Sequence, residues 1–317
     1  MGMFRFNKEQ QIFDLGGMKV GGQPGENPPL LIASMFHNKD RIVTDRKGNF
    51  DRVKATEMIR TQEALSASTG IPAMVAMVAN SAEEAKIYID FYRETTTMPF
   101  GIDMWVAEKR AQATEYVAKL GLQDKFLYNS ITPWDKDVKG QVQKLKDLGI
   151  KHVVVQAFDD QDQTPTGRLK SLEKLLDQGA GDFATVLVDT SVMNLPATSF
   201  SLVANRLIKE KLGLPCGGAY SNGTHMWKDA KTIWSLDGFK AMDAVVQGMA
   251  SAIWSDLNFY GPIVTAPRIF PAVAAAQVLL STLVYDETKK IADNPNVPIK
   301  KYFADFLEKL TAGAARK

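Results

Sequence analysis

Cysteine is almost absent: the chain has one, Cys216, in 317 residues. A single thiol closes no disulfide within the chain and furnishes no multi-cysteine zinc or iron–sulfur site, which fits a reducing compartment. Histidine is nearly as scarce. His37, His152 and His225 are scattered without a binding motif, so no metal site is expected. Charge lacks a bias as well: 38 basic and 36 acidic residues are interspersed and leave a net +2, too little field to attract nucleic acid or an anionic membrane. Long apolar runs are missing. Residues Met1 to Lys8 hold no signal-peptide core, and the longest apolar stretch, Ala272 to Tyr285, is interrupted by Gln277, Ser281 and Thr282 and falls short of a bilayer's thickness. The expected location is therefore cytoplasmic, without membrane insertion. No Gly-x-Gly-x-x-Gly loop follows the first strand-like run, and no Gly-x-x-x-x-Gly-Lys-Ser/Thr loop occurs, so neither nucleotide-binding signature applies.

What is present is the means for a large core, with 45% hydrophobic and 23% charged residues, the balance of a compact protein. Short apolar runs alternate with segments of helical spacing. Leu30–Ser34 opens the series as a buried strand. Ile71–Val78, Pro99–Asp103, Phe126–Asn129, His152–Phe158 and Thr185–Asp189 follow, then the run from Leu214 to Asn222, and finally Leu257–Gly261. Between them the spacing predicts helices over Arg52–Ser68, Ala82–Thr95, Val106–Leu120, Asp135–Leu148, Arg168–Leu176, Thr198–Leu212, Lys240–Ala252 and Pro267–Asp286, with a terminal helix over Tyr302–Leu310. Eight such units with short connections imply an α/β fold whose parallel sheet closes on itself, a (β/α)8 TIM barrel. Ahead of it, Gln10–Phe13 and Met18–Val20 flank Asp14-Leu15-Gly16-Gly17, the pattern of an N-terminal β-hairpin that plugs one end of the barrel. One barrel accommodates the chain, so residues 1–317 are expected to form a single domain.

Active sites of such barrels form at the C-terminal ends of the strands, where the connecting loops converge. The polar residues at those ends are Ser34, Asp103, Asn129, Gln156 on the fifth strand, Asp189, and Asn222 closing the seventh. Any one Asp or Asn after a strand is more commonly a helix N-cap or turn former. Together they suit a flat heterocycle: a carboxylate accepts two parallel donors from an amidine-like edge, and carboxamides pair with a ring oxygen and ring nitrogens. Reduced pterins present such an edge, as do other aminopyrimidines. No His or Lys joins the set, so a Ser-His-Asp triad or Schiff-base chemistry has no members. Glycoside hydrolysis, with Asp103 and Asp189 as the two carboxyls, is a rival reading. The small residues Gly217-Gly218-Ala219 before Asn222 are expected to leave room for a flat ring.

Val20-Gly21-Gly22-Gln23-Pro24-Gly25-Glu26, Pro99-Phe100-Gly101-Ile102-Asp103, Tyr128-Asn129-Ser130-Ile131, Leu187-Val188-Asp189, Ser221-Asn222 and Tyr260-Gly261-Pro262-Ile263 resemble, in order and spacing, the H subunit of tetrahydromethanopterin S-methyltransferase and its soluble bacterial relatives. More distantly the chain is similar to the methyltetrahydrofolate methyltransferases that serve a corrinoid/iron–sulfur protein and to the pterin domain of methionine synthase. The resemblance implies a pterin-binding barrel that moves a methyl group between a methylcobalamin-type corrinoid and N5 of a tetrahydropterin. By the family pattern Asp103, Asn129 and Asp189 anchor the pterin, and Asn222 stands next to N5 as a catalytic group that Asp189 assists; Gln156, from its place on the fifth strand, is expected to bind the substrate with them. No Asp-x-His-x-x-Gly corrinoid signature occurs, so the corrinoid is expected on a separate corrinoid protein. Met104-Trp105 follow Asp103 where the archaeal subunit usually has small hydroxyl residues, and tetrahydrofolate is accordingly the expected pterin, as in soluble relatives acting in glycine betaine demethylation. A tetrahydromethanopterin-specific component of a membrane complex and a non-catalytic pterin-binding subunit are the alternatives. The resemblance also implies a homodimer.

Overall fold

The computed structural model describes residues 2–45 and 47–314; Met1, Arg46 and residues 315–317 of the expected single unit lie outside the described residues. A hairpin of β1 (Ile12–Leu15) and β2 (Met18–Gly21) precedes a closed barrel of eight parallel strands: β3 (Leu30–Met35), β4 (Ala73–Val78), β5 (Phe100–Asp103), β6 (Phe126–Ile131), β7 (His152–Gln156), β8 (Thr185–Asp189), β9 (Cys216–Gly218) and β10 (Leu257–Pro262), with β10 closing against β3. Helices α1 (Arg52–Thr69), α2 (Ala82–Thr95), α3 (Ala107–Lys119), α4 (Val138–Asp147), α5 (Pro165–Leu175), α6 (Ala197–Lys211), α7 (Tyr220–His225), α8 (Ala230–Ala252) and α9 (Ala266–Thr288) fill the connections and the end of the circuit. Two further helices, α10 (Pro298–Tyr302) and α11 (Ala304–Ala314), follow. The expected barrel and hairpin are both present.

Two apolar layers hold the fold. Leu31, Val75, Ile102, Tyr128, Val153 and Val188 face outward against the helices, while Leu30, Ile32, Met74, Leu127, Val154, Leu187 and Leu257 fill the barrel interior. Both faces are buried, so parallel strands read as continuous apolar runs. Leu15 and Val20 of the hairpin belong to the interior layer. They enter at the end where the strands begin, since Gln11 N donates to Gly213 O (2.8 Å) and Gly213 precedes β9.

Three expectations need correction. The run from Leu214 to Asn222 is not one strand: β9 ends at Gly218, and Asn222 lies on the short helix α7. Gly217 does not clear space for a ring, because a Cβ there would meet the Leu257 carbonyl oxygen at 1.8 Å. Its smallness instead lets β9 and β10 approach. Finally, the apolar stretch Ala272 to Tyr285 lies within a helical span, Ile263–Thr288, that is long and apolar enough to cross a membrane; half of its most apolar window is buried in the protein, against α1 and α8.

Candidate functional site

The polar strand ends converge on one mouth. Asp103 of β5 is in register with Asn129 of β6, and Gln156 of β7 with Asp189 of β8. With Ser34 and Asn222 they line a single cavity of about 580 Å³, a size ordinary for a small-molecule site. A larger groove, about 710 Å³, runs at the opposite end between the hairpin and residues 293–296. It lies away from the strand C-termini where barrels place their chemistry.

The structure separates site residues from helix caps. The N-cap side chains are those of Asp51, Ser81, Asp137 and Thr164. Helix α3, after Asp103, starts behind Val106, and α6, after Asp189, behind Pro196, each without a side-chain cap. Asp103 and Asp189 are thus free of the commonest structural duty for their position.

The two carboxyls sit in unlike surroundings. Burial pushes Asp189 up from 3.8 to about 6; the hydrogen bond from Ser191 N to its Oδ1 (2.8 Å) and the Arg168 guanidinium pull the other way, and the Asp103 carboxylate adds to the rise. Asp103 is exposed at its strand end, where the recess of the mouth takes it partly out of water and nudges its carboxyl upward, opposed by Arg110. Ser191, at φ 51°, additionally accepts from Gln156 Nε2 (2.9 Å), tying the ends of β7 and β8 together. Arg168, on the inner face of α5, is fully buried, and none of its three guanidinium nitrogens has a hydrogen-bond partner among the described residues. Such a charge is poorly screened, and its field falls on Asp189 and Tyr220.

Arg110 of α3 clips two mouth loops. Its Nε donates to Tyr128 Oη (2.7 Å), Nη1 to Met104 O (3.0 Å) and Nη2 to Asp135 Oδ1 (3.0 Å), while Asp135 Oδ2 accepts from Thr132 N (2.7 Å). The loop after Asp103 and the loop after Asn129 therefore move as one. On the other side, Gly261 in β10 has φ 91° and faces Ser221, where a Cβ would come within 2.9 Å of the serine Cβ. That close approach seats α7, and so Asn222, against β10, with Ser221 Oγ donating to Phe259 O (3.0 Å).

Sequence reasoning proposed five site residues, and the structure brings all five to one cavity. It missed Arg110, Arg168 and Ser191. The first two carried a readable signal: each is a cation on a buried helical stripe, Arg110 with Ala113, Thr114 and Val117, and Arg168 with Leu169, Leu172 and Leu175. Ser191 carried none. His152 lies at the far end, its Nδ1 2.8 Å from Thr185 Oγ1 and its Nε2 3.2 Å from Asp124 O. Among the described residues no three His, Cys, Asp or Glu side chains gather as for a metal ion.

Residues 8–291 match the protein family described as Tetrahydromethanopterin S-methyltransferase MtrH subunit. The chain is 33% identical to the tetrahydromethanopterin S-methyltransferase H subunit of Methanosarcina mazei, over 94% of this chain and 99% of that protein. The H subunit of the same enzyme from Methanothermobacter thermautotrophicus is 32% identical over 92% of this chain and 98% of its own length. The H subunit of the putative methyltransferase mtx of Methanosarcina acetivorans is 33% identical over 90% and 95%. Among solved structures, a dihydropteroate synthase of Yersinia pestis in a sulfonamide complex aligns with TM-score 0.57 at 11% identity, covering 86% of this chain and 100% of that one. A dihydropteroate synthase of Coxiella burnetii with pteroic acid aligns with TM-score 0.55 at 12% identity, over 84% and 99%. At such identities the likeness is one of fold.

Proposed function

The chain belongs to the family of the tetrahydromethanopterin S-methyltransferase H subunit, and from that premise we propose that its strand-end cavity binds a reduced pterin and exchanges a methyl group between the pterin N5 and a corrinoid carried by a separate protein. The observation that carries this reading is the convergence of two carboxyls and three carboxamides on one cavity of about 580 Å³. Asp103 or Asp189, ionised, accepts the paired N3–H and 2-amino donors of a pterin; Asn129 and Gln156 satisfy its oxo group and ring nitrogens.

Methyl transfer is an in-line displacement, so holding the pterin against a rigid ring of strand ends supplies much of the rate. The corrinoid furnishes the methyl group and keeps the bonding electron pair as Co(I). N5 uses its lone pair to form the new C–N bond and then releases its proton. The Asn222 carboxamide serves N5 before and after that loss, accepting through oxygen or donating through nitrogen without itself titrating. Asp189 takes the proton through water. The partner's docking place is the mouth, where Trp105, 94% exposed, stands with exposed Trp134, Met226, Trp234 and Val264 on segments following β5, β6, β9 and β10. Exposed Trp105 and Trp134 in the lining of a polar cavity suit a protein partner.

Tetrahydrofolate is the pterin we assign, on the buried Met104 and exposed Trp105 that border the cavity. The named activity of the relatives favours tetrahydromethanopterin as the second reading. Val245 and Met249 on α8, with Leu279 and Leu283 on α9, form an exposed apolar outer face that a second copy covers in a homodimer. The test mixes the protein with methylcobalamin and either pterin and follows Co(I) in the visible spectrum. Asn222→Ala should slow exchange far more than it weakens pterin binding, and Asp189→Ala should mainly abolish binding. Binding of a pterin without exchange would leave a non-catalytic role; an unchanged rate in Asn222→Ala would remove the part given to that residue.

A further inference from the structure

Asn222 stands on α7, a helix of six residues with no side-chain cap. A single turn and a half does not hold its own geometry in water, so its orientation is set from outside. Tyr220 at its start is anchored at depth, its hydroxyl accepting from Asn205 Nδ2 (2.9 Å) and lying 2.6 Å from Ser255 Oγ. At its end, Thr224 Oγ1 donates to Asp243 Oδ1 (2.6 Å). Asp243 belongs to α8 and is fully buried; its second oxygen is ion-paired with the Arg268 guanidinium of α9. One carboxylate thus joins three helices through a hydroxyl on one side and a cation on the other.

Arg268 is partly exposed, and an ion pair to a buried carboxylate is a poor way to stabilise a helix interface, because an apolar pair of similar volume does as well or better. What the pair adds is direction. Thr224 is two residues from Asn222, is itself fully buried, and has its hydroxyl aimed at a charge, the stronger kind of hydrogen bond. His225 follows the same constraint, with Nδ1 3.0 Å from Ser221 O and its ring 5.1 Å from that of Phe239 on α8. We propose that Asp243 and Arg268 are positioning residues that clamp α7 through Thr224 and so aim the Asn222 carboxamide into the cavity. This rests on the reading that Asn222 serves the reacting nitrogen.

The clamp acts on α7 alone, whereas Asp103, Asn129, Gln156 and Asp189 hang on other strands. Thr224→Val and Asp243→Asn should therefore slow methyl exchange from methylcobalamin by about tenfold or more, since small displacements of a reacting group are costly. Pterin affinity, measured by calorimetry, should stay within about threefold, because the anchoring groups Asp103, Asn129, Gln156 and Asp189 lie outside α7. Arg268→Lys, which keeps the charge, should retain more activity than Arg268→Gln. Thr224→Val is the mild variant if the charge changes impair folding, and in it the amides of Asn222 and Met226 should exchange with deuterium faster while those of β5 to β8 do not. In an Asn222→Ala background Thr224→Val should cause no further loss. An equal loss in both backgrounds, a wild-type rate in Thr224→Val, or pterin affinity falling with the rate would overturn the clamp. Should Asn222→Ala itself exchange at the wild-type rate, the role of Asn222 fails and the clamp with it.

Discussion

Replacing Asp189 by Asn should make the protein more stable while taking away its ligand. Burial raises this carboxyl from 3.8 to about 6, so at neutral pH the folded chain carries an ionised group that the unfolded chain carries more comfortably. The sign follows from proton binding. Between about pH 4 and pH 6 the native protein binds a proton there that the unfolded chain does not, and stability rises as pH falls through that window. Above it the full penalty applies. A displacement of about two pH units is worth ~3 kcal/mol, an upper value because the side chain is partly open to the cavity. Asn has the same shape, and its amide oxygen still accepts from Ser191 N, so the substitution removes the charge and little else. Urea unfolding followed by circular dichroism should show Asp189→Asn more stable than the parent by up to ~3 kcal/mol near pH 7.5, with the gap closing towards pH 4. A variant no more stable at pH 7.5, or an advantage independent of pH, would refute the electrostatic account of this site. With the carboxylate as the binding form proposed above, apparent pterin affinity should fall about tenfold per pH unit below pH 6.

Arg168→Met, similar in length but neutral, should shift that affinity profile to higher pH, since the guanidinium helps keep Asp189 ionised; a titration of pterin binding from pH 5 to 8 checks it. Lys209 is buried on α6, where its Nζ donates to Asp256 Oδ1 and Oδ2 (2.8 and 2.6 Å) and to Gly22 O (3.1 Å). Lys209→Met strands the Asp256 carboxylate and should cost about 3–5 kcal/mol by denaturant unfolding. Gly217→Ala should destabilise more than Gly218→Ala, because its Cβ meets backbone at 1.8 Å and the other meets side chains at 3.1 Å or more; thermal melts of the two variants decide. Arg110→Met should free the loops after β5 and β6, seen as faster hydrogen exchange at residues 104–106 and 132–135 together, and not at one loop alone.

Seven of the eight strands were legible because a strand buried on both faces is an unbroken apolar run, as in Leu187-Val188 or Val153-Val154-Val155. Four of the five cavity residues, Asp103, Asn129, Gln156 and Asp189, were legible because they lie at or near strand ends; Asn222 lies on α7 instead. The seventh unit was not legible. From Cys216 to Thr224 small and polar residues give no period, and whether they extend or coil is decided by contacts with Leu257, Phe259 and Gly261, over thirty residues away. The start of α8 was misplaced for a related reason: its first turns expose Ile233, Trp234 and Leu236, so no apolar stripe announces them, and Ser235 at φ 63° breaks the helical geometry. Buried charges were the other blind spot. Lys209 and Asp243 lie on helices where burial is settled by partners distant in sequence, Asp256 and Arg268, whereas Arg110 and Arg168 had only their apolar stripes to announce them.

The hairpin at the barrel floor has a consequence for the order of events on the ribosome. Its strands precede every strand of the ring in chain order, yet the groups that receive them come late. Gly22 O waits for Lys209, 187 residues on, and Asp14 O for Thr185, 171 residues on. A ring, moreover, has no bond between its first and last strands until β10 exists. The hairpin is therefore made before the seat it occupies, and Leu15 and Val20 find their interior partners only as the later strands form. Protease sensitivity of β1 and β2 in chains stalled before residue 257, and resistance once β10 has emerged, is the trace that this topology leaves.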